Sequence, residues 1–179
     1  MAEKLEDIQA AALDPAKDLA RYPDLALALD YWSAKRCGRF APARGDIDPT
    51  EITAILPRIL LADVTRDLQG EIGFRYRLSG TGIGQVHGFE LTGRTPLDLK
   101  PPQYGRLVES HYREAVEQRR PLVHLIALQT DKKARSYARI VLPLSDDGET
   151  VNMLMIVDSE TQNSLHEFLE TIEMLGRRP

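Results

Sequence analysis

A chain of 179 residues with a formal net charge of −4 is one domain with modest extensions, and its acidic balance excludes a general nucleic-acid coat. Cys37 is its single cysteine, which excludes an intramolecular disulfide and fits a reducing compartment. MAEKLEDIQAAALDPAKD carries acidic residues at once and no stretch reaches about 18 uncharged apolar residues, so neither a signal peptide nor a membrane span is expected and the chain reads as cytoplasmic.

Residues 3 to 13 suit a short helix. A second helix is expected from Asp24 to about Cys37, ended by Gly38, with Leu25, Ala28, Leu29 and Trp32 on one face. Cys37 itself reads as a small buried or half-buried residue. DPTEI at 48 to 52 is a helix start, with Asp48 as cap, Pro49 at the first helical position and Glu51 at the third. ILLADVTRD then predicts a strand from Leu60 to Thr65, DLQGE a turn, and GFRYRLSG the returning strand. In that return Phe74, Tyr76 and Leu78 face one way, Arg75 and Arg77 the other.

Four glycines follow within nine residues, at 80, 82, 84 and 88. Their spacing fails the dinucleotide fingerprint, no lysine follows as a phosphate loop requires, and no long helix comes next. Their use is conformational: the chain must turn sharply beside a strand end. A helix from Gln103 to Gln118 comes next, then strands Leu122 to Thr130, Ala134 to Leu144 and Thr150 to Asp158, joined by the turns DKK and SDDGE. On the middle strand Ala138, Ile140, Leu142 and Leu144 oppose Tyr137, Arg139 and Val141, and the Ala138 side is expected to meet the covering helices. SETQNSLHEFLETIEML closes the chain as an amphipathic helix with Leu165, Phe168, Leu169 and Ile172 on one side.

LPRILLADV, FRYRLSGTGI, HGFELTGRTPLDL, EAVEQRRPLV and RIVLPLSDDGETVNMLMIV form an ordered set over Leu29 to Ser159. This set resembles the PAS domains, and within them a stand-alone group of alphaproteobacteria. The resemblance implies an α+β fold: a five-stranded antiparallel sheet in the order 2-1-5-4-3, helices on one face, and flanking N- and C-terminal helices. It divides the chain into a helical extension at 1–28, a single PAS-like domain at 29–159 and a C-terminal helix at 160–179. It also implies a sensory or regulatory role, expected to act without an output domain of its own, through a small-molecule ligand, a signalling protein partner, or both, with a homodimer as the expected assembly. No catalytic set appears among its residues, so no enzyme activity is expected. The alternative is a dimerisation or interaction module without a ligand. No cysteine lies between Gly38 and Pro179, so the cysteine-dependent flavin and thioester chromophores of this fold are unsupported. The cofactor stays open.

On the long helix Tyr104, Leu107, Val108, His111 and Ala115 share a face. His111 there is read as pocket lining or, by resemblance, as a haem ligand. Arg94, in LTGR, either binds a carboxylate or holds its loop through carbonyls. The candidate ligand-binding set is Tyr76, Leu78, His87, Arg94, Tyr104, Val108, His111 and Ala115. The apolar seams Leu25, Leu29, Trp32 and Phe168, Ile172 either pack across a dimer or cap the sheet within one chain. The histidines have no metal spacing, and the serines have no nucleophile context. The basic cluster Lys132, Lys133 and Arg135, with Arg119 and Arg120, lacks interleaved aromatics and reads as a solvated hairpin tip rather than a nucleic-acid surface.

Overall fold

The computed structural model describes residues 5–132, 134–163 and 165–176. Lys133, Ser164 and the outermost residues at both ends lie outside them. Six strands form one antiparallel sheet: β1 (Leu5–Leu13), β2 (Ile59–Arg66), β3 (Ile72–Ser79), β4 (Leu122–Thr130), β5 (Ala134–Leu144) and β6 (Met153–Asn163), in the order β1-β4-β5-β6-β2-β3. The α+β class holds, with six strands in place of the expected five. The added strand is the segment expected to be helical. LEDIQAAAL is rich in helix formers, but pairing Ile8 with Leu128 and Leu13 with Val123 covers the free edge of β4. Tertiary pairing outweighs a propensity difference of a few tenths of a kcal/mol per residue.

The helices are α1 (Pro15–Asp18), α2 (Pro23–Lys35), α3 (Thr81–His87), α4 (Pro102–Gln118) and α5 (Leu165–Gly176). They cover both faces of the sheet, not one. Leu25, Ala28 and Trp32 of α2 and Phe168 of α5 pack on Leu125, Ala138, Ile140, Leu142, Met155 and Val157. Tyr104, Val108, Tyr112 and Ala115 of α4 pack on Leu60, Tyr76, Ile126, Tyr137, Val141 and Ile156. The Ala138 side therefore meets the terminal helices, while the Tyr137 side meets α4. Trp32 is anchored as well as buried, its Nε1 donating to the Pro143 carbonyl at 2.7 Å.

Local departures have local causes. DPTEI makes only a single 3-10 turn, Pro49–Glu51. Asp48 caps it by accepting from the Thr50 N–H at 2.9 Å, but the Glu51 carboxylate turns to Tyr31 and Lys35 instead of closing a capping box. Helix α2 ends at Lys35, so Cys37 falls in the following turn at φ 47° and is exposed. Strand β6 runs on through Asn163, and Leu169 of the shorter α5 is 49% exposed.

At the end of β3, a Cβ on Gly80 would lie 2.5 Å from the Pro57 carbonyl oxygen, so only glycine lets the chain cross there into α3. Gly88, at φ 77°, ends that helix in a left-handed cap. The glycine run thus turns the chain from the sheet edge over the α4 face, as its conformational reading requires.

Candidate functional site

Under α4 the sheet carries charge. Arg139 of β5 and Asp158 of β6 are cross-strand partners, only 1% and 5% exposed. The guanidinium clasps the carboxylate twice, Nε to Oδ1 at 2.5 Å and Nη2 to Oδ2 at 3.1 Å. Nη2 also donates to the Tyr104 hydroxyl at 3.1 Å, and the Tyr104 and Tyr137 hydroxyls are hydrogen-bonded to each other. Tyr76 and Tyr112 share a hydroxyl contact at 3.3 Å, and the guanidinium carbon lies 5.5 Å from the Tyr137 ring centre and 6.0 Å from that of Tyr112. Arg139 is therefore a cation in a cage of phenols, with Nη1 the one nitrogen left without a hydrogen-bond partner.

The electrostatics follow from dryness. Burial works against the Arg139 charge, yet Asp158 and the surrounding tyrosines hold its pKa well above the usual value. Burial raises Tyr76 and Tyr137 well above an ordinary phenol and pushes Tyr112 up to about 12, so all three remain O–H donors. Beside them His111 of α4 stacks on His124 of β4, ring centres 3.7 Å apart and planes 4° from parallel. Burial, then His124 and Arg139, push His111 down to about 3. His124 is lowered by burial too, against the pull of Glu114 at 3.5 Å. The Nδ1 atoms of both rings are buried without partners.

Two adjoining cavities open where α3, α4 and the β5 end meet. One, about 180 Å³, is lined by Val86, His87, Lys100, Pro101, Tyr104, Leu128, Thr130 and Arg135. The other, about 210 Å³, is lined by Arg58, Ile83, Val86, Arg135, Tyr137 and Asp158. Val86 and Arg135 belong to both. His87 stacks on Tyr104 at 6.1 Å, and burial pushes its pKa down to about 4.

The expected site residues divide accordingly. Tyr104 and His87 line the cavity, and Tyr76 belongs to the tyrosine cluster behind it. Val108 and Ala115 are core under α4, and His111 lines neither cavity. Leu78 is 42% exposed because the β2–β3 register slips: Leu61 pairs with Leu78 and Ala62 with Tyr76, so Arg77 is extra and the two residues point to opposite faces. Arg94 is exposed and holds its own loop, donating from Nε to the Glu90 carbonyl at 3.1 Å with the guanidinium over Phe89. Of the seams left open between a dimer and the chain's own sheet, Leu25, Trp32 and Phe168 are buried within this one chain, and Leu29 and Ile172 pack half-buried against the same core. Arg135 is no solvated tip residue: it lies over the Tyr137 ring and lines both cavities. Arg58, Arg139 and Asp158 were missed, although for Arg139 and Asp158 the single charge in each of the apolar runs ARIVLPL and MLMIVD is a readable sign.

The family model described as "PAS domain" matches residues 21–157. The chain belongs to the PAS domain family. The match shows the family and no narrower group. This PAS domain is similar to a light-oxygen-voltage domain at 15% identity over 72% of this chain and 97% of that one, with a TM-score of 0.51. The PAS domain of Bordetella pertussis BvgS matches at 13% identity over 69% of this chain and 92% of that one, TM-score 0.49. Vibrio cholerae VqmA matches at 12% identity over 69% of this chain, which spans 56% of VqmA, TM-score 0.48. At these identities the likeness concerns the fold alone. A comparison with curated proteins finds no match. Among the described residues no three His, Cys, Asp or Glu side chains gather to hold a metal ion, and no helix is long and apolar enough to cross a membrane.

Proposed function

We propose that this PAS domain is a sensory or regulatory module that takes a small molecule into the paired cavities and signals its occupancy to a partner protein. One observation carries the reading: Tyr137 and Asp158 are at once cavity wall and members of the buried Arg139 cluster. A molecule touching that wall acts directly on a hydrogen-bonded network rather than on inert packing. The network continues outward. Arg58 donates to the carbonyls of Asp158 at 3.2 Å and Ser159 at 2.7 Å, and the Ser159 hydroxyl donates to Asp24, in the first turn of α2, at 2.8 Å.

Occupancy shifts that junction only if the ligand binds its two arrangements with different affinity. The partner meets a surface other than the seams of α2 and α5, since those are spent on the core. The role is non-catalytic: the polar groups form a buried ion pair in a phenol cage, and among the described residues no nucleophile is paired to a base. Native mass spectrometry of gently purified protein, with an absorption spectrum of the same sample, tests the reading. A bound mass that leaves on denaturation, or resonance shifts confined to the cavity residues on adding a metabolite mixture, is the expected result. A bare chain that no mixture perturbs overturns it.

A further inference from the structure

Three cations stand at the cavities: Arg58, Lys100 and Arg135. Among the described residues none of them pairs with a carboxylate within 4 Å. Arg58 is not a loose surface group, because two backbone carbonyls fix its guanidinium. Arg135 is laid over Tyr137. Asp158, the acidic residue among the described lining, is already committed to Arg139. The site is thus positive at its rim with no internal anion to answer it. Behind the wall the buried Arg139 keeps an unpartnered donor, Nη1, in the same cluster as Tyr137 and Asp158. The rest of the lining includes apolar surface from Ile83, Val86 and Leu128.

We infer that the paired cavities bind a small organic monocarboxylate: its anionic end on Arg135 and Arg58, its compact apolar body against Val86 and Ile83. This rests on the cavity reading above. The chemistry selects among anions. Guanidinium groups match a carboxylate's two oxygens, and charge-assisted hydrogen bonds are about twice as strong as neutral ones. Asp158 at the wall disfavours a second negative charge deeper in. Cavities of about 180 and 210 Å³ suit a body of ring or short-chain size, not a nucleotide.

The test is a titration of the isotope-labelled full chain with acetate, butyrate, benzoate and phenylacetate, each beside its neutral amide, followed through backbone resonances. Shifts at Val86 and Arg135 from the larger carboxylates, at least about tenfold tighter than from their amides, are expected. Arg135→Gln should erase that difference, and Arg135→Lys, which keeps the charge without the fork, should restore part of it. Amides that bind as tightly as the acids overturn the anion while the cavity stands. Inorganic phosphate binding as tightly as benzoate reduces the site to a positive surface and overturns it too. No shift from any acid overturns the inference, and the metabolite mixture then separately decides whether the cavity reading survives.

Discussion

On the side of α2 and α5, strands β4 to β6 contribute Leu125, Ala138, Ile140, Leu142, Met155 and Val157, and a tryptophan and a phenylalanine close over them. On the α4 side the same strands contribute His124, Tyr137, Arg139 and Asp158. Successive residues of one strand therefore serve opposite physics. The first face is dry hydrocarbon whose burial stabilises the sheet at roughly 25 cal/mol per Å². The second buries an ion pair, whose desolvation consumes most of what its attraction returns. A face built for stability alone has no need of Arg139, and that contrast is what supports the proposal that the α4 side is the functional half of the domain.

The largest expected effects test this contrast. Asp158→Asn removes the counter-charge from a guanidinium that is 1% exposed, and should cost about 3–5 kcal/mol in urea unfolding. On the opposite face Leu142→Ala, a cavity in dry packing, should cost a comparable 2–5 kcal/mol or so. The faces separate in the double variant Arg139→Met with Asp158→Leu. Two apolar groups of similar volume should restore stability to within about 1 kcal/mol of wild type, or exceed it, while ligand response is lost. A double variant as unstable as Asp158→Asn alone would make the ion pair structural and break the comparison.

A smaller effect depends on pH. His111 has a folded pKa of about 3 against roughly 6.5 unfolded. Above pH ~6.5 both states are neutral and His111 contributes no pH dependence. As pH falls below that, the unfolded chain takes the proton first, so stability is lost down to about pH 3. One histidine contributes a slope of at most ~1.4 kcal/mol per pH unit. His124 stacks on it and shifts the same way, with Glu114 opposing, and Arg139 repels the proton on both. His111→Gln should reduce the slope between pH 6 and 4 by up to one proton's worth, read from unfolding midpoints at each pH. An unchanged slope would mean that α4 moves off β4 before the ring titrates.

How much of this was legible follows the range of each interaction. β4 and β5 could be bounded to the residue, because apolar runs end at the turns DKK and SDDGE and local patterning decides them. Tyr104 was placed by the periodicity of its own helix, which is also local. β1 could not be read, since LEDIQAAAL becomes a strand only by meeting β4 more than a hundred residues on. Leu78 was misplaced by a single extra residue in a ladder, which no alternation pattern reveals. The Arg139 cluster joins β5, β6 and α4 across a second register shift, between Tyr137 and Arg139. Each charged residue looked isolated in sequence because its partner lies on another element.

The smallest effect contrasts two arginines of the same sheet. Arg77 stands at the β3 bulge and pairs with Asp63 through Nε at 2.9 Å and 3.1 Å, its side chain 61% exposed. Arg139 makes the same chemical pair with its carboxylate in the dark of the core. Water already solvates Arg77 in the unfolded chain and nearly as well in the folded one, so little desolvation is at stake and salt screens what remains. Arg77→Ala should therefore cost less than about 1 kcal/mol, and the loss should shrink further in 1 M salt. A larger cost that salt does not reduce would assign Arg77 to the bulge itself, holding Tyr76 toward the cavity side and Leu78 away from it, and would extend the functional half of the domain to the sheet's outer edge.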